Sequence, residues 1–192
     1  MNEQVVRGHW LTGGVKFMRT RYAADTNERL LGALPRPLRA QLAEIQPVGW
    51  YPRSHHVEML KAMVSTHADE GAAFDSLLGY GQLVGTDQAN GSLRPLMQVV
   101  TPKLMARKLS QLWASEHREG GSLESDIAEV DRGRLSLRLS SVAAYDHVGV
   151  AMLGWVKGLL GALGCRDLQV QQTGWGLSQP GPGELRGEVR WT

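Results

Sequence analysis

The sequence predicts an α+β fold, a helical amino-terminal half followed by a ββαββ antiparallel sheet packed with a glycine-rich helix. Through residue 120, apolar residues recur every three or four positions, the period of a one-faced helix. Beyond it the pattern alternates strictly, in Arg134-Leu135-Ser136-Leu137-Arg138-Leu139-Ser140 and again in Glu184-Leu185-Arg186-Gly187-Glu188-Val189-Arg190-Trp191. That is the period of a strand with one buried face. A single domain over 1–192 accommodates both patterns, with 1–120 mainly helical and 121–192 forming the sheet half.

The elements follow in order. Asp25-Thr26-Asn27-Glu28 has the form of a capping box, and Leu30, Leu31 and Leu34 give its helix an apolar stripe. Pro35-Arg36-Pro37 breaks that helix, and Pro37 opens a second through Leu38, Leu42 and Ile45. After a turn at Pro47-Val48-Gly49, Ser54 is placed to cap a helix bearing Val57, Leu60, Met63 and Val64. A further helix is expected from about Gly71 to Val84, with Phe74, Leu77, Leu78 and Leu83 inward. Thr101-Pro102 starts another, carrying Leu104, Met105, Leu109, Leu112 and Trp113 until Gly120-Gly121 ends it.

The sheet half begins with a weak strand from Leu123 to Val130 and a hairpin turn at Asp131-Arg132-Gly133. Tyr145 to Leu163 reads as an apolar helix covering the sheet. Strands are expected at Asp167–Thr173 and Glu184–Trp191, joined by the Gly- and Pro-rich stretch 174–183.

Composition narrows the function classes. With 21 basic and 19 acidic side chains the net charge is +2, which supplies no field for a phosphate backbone, so nucleic acid is not expected as a partner. Cys165 is the sole cysteine, which permits no internal disulfide and suits a reducing compartment. The amino terminus lacks the basic and apolar segments of a secretory signal. Val148 to Leu163, the longest apolar stretch, is interrupted by Lys157 and several glycines and is too short to span a bilayer. A cytoplasmic location with no membrane contact is the expectation.

Catalytic chemistry finds no footing in the residues. Gly-x-Ser-x-Gly and Gly-Lys-Ser/Thr are both absent, and Cys165 follows the carboxyl end of a helix, where the dipole raises a thiol pKa. His55 and His56 read as surface or cap residues, and His67 is too far along the helix to share a metal with His56. No catalytic residue, no metal and no enzyme activity are therefore expected. Six tryptophans against two phenylalanines point to recognition instead, because an indole is large, rigid and partly polar. Trp50, Tyr51 and Trp113 are the candidate ligand-binding residues. Gly154 and Gly158 recur at helix-face spacing and, with Trp175, are the candidate interface, either with this chain's own sheet or with a second copy in a homodimer.

Several landmarks together carry a resemblance: Gly8-His9-Trp10 leading into Val15-Lys16-Phe17-Met18-Arg19, Gly49-Trp50-Tyr51-Pro52, Thr101-Pro102 with Leu112-Trp113, Gly154-Trp155, and Glu188-Val189-Arg190-Trp191. The chain resembles a family of similarly sized proteins abundant in myxobacteria. Through that family it resembles the 4-vinyl reductase domain and the heme–nitric-oxide-binding-like superfamily. The resemblance implies an α+β ligand-sensing fold, often dimeric. It also exposes two departures. The vinyl-reductase zinc pattern of Glu and Cys would fall at Gln172-Thr173-Gly174-Trp175, which offers neither carboxylate nor thiol, so zinc is rejected. The Tyr-x-Ser-x-Arg anchor for heme propionates is missing too, the pair Arg21-Tyr22 running the other way.

These readings converge on a non-catalytic sensing or regulatory module that binds a small apolar or aromatic ligand, without a cofactor. A protein–protein interaction or scaffold module acting as a homodimer is the first alternative. A heme or tetrapyrrole sensor is the second, with His9, His56, His117 and His147 each able to act as the axial imidazole.

Overall fold

The structure, a computed structural model, describes residues 4–140, 147–173 and 183–192. Strand β1 (Val5–Arg7) runs directly into α1 (Gly8–Arg21), followed by α2 (Ala24–Ala33), α3 (Arg36–Gln41), β2 (Trp50–Pro52), α4 (Arg53–Val64) and α5 (Glu70–Asn90). Then come α6 (Arg94–Met97), α7 (Pro102–Glu116), β3 (His117–Arg118), β4 (Ser122–Asp126), β5 (Arg134–Ser140), α8 (His147–Ala162), β6 (Gln169–Gln172) and β7 (Glu184–Arg190). The fold is α+β with two antiparallel sheets.

The carboxy-terminal sheet has the order β4-β5-β7-β6. Its register pairs Leu135 with Val189, Leu137 with Gly187 and Leu139 with Leu185, so the alternating apolar residues share the face toward α8. The opposite face is an Arg–Glu ladder in which Arg138 meets Glu124 and Arg134 meets Glu188. Gly133, at φ 74°, reverses the chain after Val130–Arg132 in the left-handed conformation that glycine adopts without penalty.

The small sheet β2-β1-β3 was not anticipated, because strands of two or three residues are too short to show alternation. Caps divide similarly. Thr101 accepts from the Leu104 amide as expected, with Pro102 in the first turn. Ser54 does not cap, since α4 already starts at Arg53 behind Pro52, whose fixed φ suits a helix entry. Asp25 lies inside the first turn of α2, with no side-chain cap at Ala23. Helix α5 continues past Val84 to Asn90 because Val84, Gly85, Gln88 and Ala89 extend its buried face.

Helix α8 is buried nearly all round, with 13 of its 16 residues inside. It is sandwiched between the large sheet and α5. Side chains added at Gly81 and Gly85 of α5 would strike the carbonyls of Ala151 and Trp155, and at Gly154 and Gly158 of α8 those of Leu78 and Gln82. The two helices thus touch backbone to backbone. Gly154 and Gly158, expected to meet this chain's own sheet or a second copy, instead meet α5 of the same chain.

Candidate functional site

Six elements converge on one aromatic centre between α5–α8 and the small sheet. Trp10 comes from α1, His56 from α4, Tyr80 from α5, Trp113 from α7, His117 from β3 and Trp155 from α8. All are buried, five of them completely. Ring centroids lie 5.0 Å apart for Trp10 and His117, 5.3 Å for Trp10 and His56, and 6.1 Å for Trp10 and Trp113. His117 stacks on Trp113 at 3.8 Å and 20°. Trp155 closes the cluster 6.2 Å from Trp113 and 6.3 Å from Trp10.

The apolar stripe of α4 explains why His56 is there. It shares a face with Met59, Leu60 and Met63, so the helix that buries them buries the imidazole. The reading of His56 as a surface or cap residue is corrected on that ground. Its Nε2 lies 2.9 Å from the Tyr80 hydroxyl, which donates to the Trp10 carbonyl at 2.7 Å. Because the phenol has one proton, His56 Nε2–H must be the donor to Tyr80, leaving Nδ1 a bare lone pair.

Electrostatics keep both imidazoles neutral. Burial, then the charge of Arg53, pushes the His56 pKa down to about 3. His117 is held well below the usual histidine range, first by burial and then by His56 and Arg53. Arg53, the first residue of α4, is itself only 4 % exposed. Six atoms of this centre are buried without a hydrogen-bond partner among the described residues: Trp10 Nε1, Arg53 Nε, His56 Nδ1, Trp113 Nε1 and both ring nitrogens of His117. Interiors rarely leave polar atoms unpaired, and such a concentration makes this centre the candidate site.

A polar chain leads outward. Trp155 Nε1 donates to Gln88 Oε1 at 2.5 Å, and Gln88 Nε2 lies 2.7 Å from His9 Nε2, itself 2.8 Å from Glu116. His9 and Gln88 line a groove of about 350 Å³ with Thr12, Val84 and Asp87.

Of the residues singled out from sequence, Trp113 sits in this centre. Trp50 lies elsewhere, half-buried on β2 with the guanidinium groups of Arg7 and Arg118 over its ring at 4.0 and 4.1 Å. Tyr51 packs beside Gly8 and Gly49, its hydroxyl accepting from the Gln46 amide at 2.8 Å. No ring contact joins Trp50 or Tyr51 to Trp113 among the described residues. Trp175 and residues 141–146 lie outside the described residues. Tyr80, Gln88 and Arg53 carry no mark in the sequence, and Trp10 stands out there only within the Gly8-His9-Trp10 landmark. Among the described residues no group of three or more His, Cys, Asp or Glu side chains is placed to hold a metal ion, and no helix is long and apolar enough to cross a membrane.

Comparison with known proteins yields no matching family model and no matching curated protein. Solved structures do match, over nearly the whole chain. An H-NOX protein from S. oneidensis in the Fe(II)NO ligation state superposes with a TM-score of 0.67 at 10% identity, covering 97% of this chain and 99% of that one. The Fe(II) unliganded H-NOX protein from K. algicida gives 0.66 at 11% identity, covering 97% and 96%. A mutant of T. Tengcongensis H-NOX gives 0.59 at 13%, covering 97% of each chain.

The chain has the H-NOX fold. The heme–nitric-oxide part of the sequence resemblance is thereby seen in three dimensions. One expectation is overturned, that of a module with no cofactor. The S. oneidensis and K. algicida structures are of Fe(II) proteins, and a further match concerns heme redox potential modulated through porphyrin distortion.

Proposed function

We propose that this chain is a non-catalytic sensor module that receives a heme at its aromatic centre, with His117 as the imidazole donor to the iron. The observation that carries the reading is His117 itself, an imidazole 2 % exposed with both ring nitrogens unpartnered. Axial ligation of heme iron calls for a neutral imidazole with a free nitrogen lone pair, and burial holds His117 in that form. The donor set therefore fits. Trp10, Trp113 and Trp155 would supply aromatic faces to a flat macrocycle. In this structure their rings fill the space between them, so admitting a porphyrin requires the indoles to part, beginning with the stack of Trp113 on His117. When bound, heme would supply an iron centre for a diatomic ligand; the chain's own share is to hold the group, exclude water and keep the imidazole unprotonated.

The test is titration of the purified chain with hemin, read as a Soret band. Wild type should develop the band, His117→Ala should lose or shift it, and His147→Ala should keep it. A colourless wild-type protein under these conditions ends the reading.

A further inference from the structure

Helix α1 presents two rows of residues spaced four apart, Leu11-Val15-Arg19 and Thr12-Lys16-Thr20, which lie side by side on one face. Both rows line a groove of about 750 Å³, closed on its far side by Leu31 of α2, Arg39 of α3 and Leu42 in the turn that follows. Val15, Leu31 and Leu42 are only half-buried there, so the groove has an apolar floor that the chain itself leaves partly uncovered. Its volume falls in the range of small-molecule sites.

The charge around that floor has one sign. Lys16, Arg19 and Arg39 line the groove and stand exposed, and no Asp or Glu lines it. Lys16 pairs with Asp87 at 2.5 Å, but no carboxylate pairs with Arg19 or Arg39 among the described residues. The hollow on the polar face of the large sheet differs, because there Arg138 and Arg186 are matched by Glu124, Asp126 and Glu188. The hydroxyl protons of the groove are spent on its own helix, Thr12 donating to the His9 carbonyl at 3.3 Å and Thr20 to that of Lys16 at 3.0 Å. A sugar or a base edge would therefore find few donors. What the groove offers is apolar area and positive charge.

We propose that the groove between α1 and the α2–α3 pair binds a single-chain amphiphilic carboxylate, a fatty-acid-like molecule. Its tail lies over Val15, Leu31 and Leu42, where leaving water is favourable, and its head meets the guanidinium groups of Arg19 and Arg39. A bilayer surface is the poorer match, since the apolar floor is recessed while the cations project. The inference concerns a second site, apart from the aromatic centre, and does not rest on the heme reading.

Calorimetric titration of the full chain at fixed ionic strength tests it, with decanoate, acetate and decyltrimethylammonium, all below micelle-forming concentration. Decanoate should bind one to one and acetate should not. Decyltrimethylammonium, with the same tail and the opposite charge, should bind at least tenfold more weakly. The exposed pair Arg19→Gln/Arg39→Gln should weaken decanoate by about tenfold, the upper range for two solvent-exposed ion pairs, and leave the cation unharmed. Ala43→Trp, at an exposed position on the groove wall, should fill the space and abolish decanoate binding. If that variant fails to fold, the glutamine pair and the comparison of the two amphiphiles still decide. Decanoate and its cationic counterpart binding alike, or decanoate binding untouched by the folded Ala43→Trp variant, would overturn the assignment. So would sedimentation with phosphatidylglycerol vesicles by a chain that ignores decanoate, which would make the face a membrane surface instead. The hemin titration reads separately: a colourless chain that binds decanoate keeps this site, and a coloured chain that does not bind it loses the site alone.

Discussion

Gly154 of α8 lies so close to the backbone of Leu78 in α5 that a side-chain carbon there would collide with the Leu78 carbonyl oxygen. The same holds for Gly85 against Trp155. The opposing atoms are helix backbone, which cannot swing aside as a flexible side chain can. That contact also fixes where Trp155 enters the aromatic centre and where Tyr80 faces it.

Gly85→Ala and Gly154→Ala should each destabilise the protein by about 3 kcal/mol, the upper range for overpacking, although alanine is the better helix former. Gly32→Ala provides the control, since a methyl at Gly32 in α2 meets nothing within 4 Å. It should stabilise by roughly half a kcal/mol through helix propensity alone. Urea midpoints of the three variants measure both signs. Equal effects at Gly32 and Gly154 would show that the α5–α8 contact is looser than described.

Gln88 should be sensitive in a way that depends on Trp155. Its amide oxygen is the acceptor for the buried indole N–H, and its nitrogen faces His9. Gln88→Leu leaves the indole donor orphaned and should cost about 1–3 kcal/mol. In a Trp155→Phe background there is no donor to strand, so the same substitution should cost distinctly less. A double-mutant cycle on denaturation free energies reads the difference. A coupling energy of zero would mean that the contact contributes nothing.

At the surface, Trp50 is held between two guanidinium groups, those of Arg7 and Arg118. Exposed cation–π contacts are each worth about 0.5–1 kcal/mol, so Trp50→Ala should cost on the order of 1–2 kcal/mol. Single replacement of Arg118 by Ala should remove roughly half of that. Arg118→Ala differing from wild type by nothing measurable in thermal unfolding would reduce the stack to a crowding of side chains.

The fold was legible in the sequence where an element is long enough to repeat its period. Strand β5 and strand β7 show their alternation outright, and Thr101-Pro102 announces α7 through cap chemistry. Nothing comparable marks β1, β2 and β3, whose pairing is set by tertiary packing around Val6. The centre was half visible. Trp113 and His56 lie on stripes that helical spacing exposes, and the stripe of Met59, Leu60 and Met63 argues for burial of His56. His117 and Arg53 continue those stripes, four residues after Trp113 and three before His56, but each is a polar residue at a helix end, where spacing alone does not argue for burial. Their importance comes from being unpartnered, a property of the assembled interior rather than of any local pattern.

The two buried imidazoles should make stability fall in mild acid. His56 titrates near 3 in the folded chain against about 6.5 when unfolded, and His117 shifts in the same direction. A depressed folded pKa means that the unfolded chain takes up the proton first as pH drops. Stability is therefore complete above about pH 6.5 and declines below it, by up to roughly 1.4 kcal/mol per pH unit for each histidine. The window from about pH 6.5 to 5 isolates the buried histidines, His147 included because burial lowers its pKa as well, since most carboxylates titrate lower. His56→Gln, which keeps a donor for Tyr80 but cannot be protonated there, should remove one histidine's share of the slope of denaturation free energy against pH in that window. Combining it with His117→Gln should remove the share of both, leaving only that of His147. A slope unchanged by both substitutions would place the acid sensitivity outside the aromatic centre and contradict the neutral, desolvated state assigned to its imidazoles.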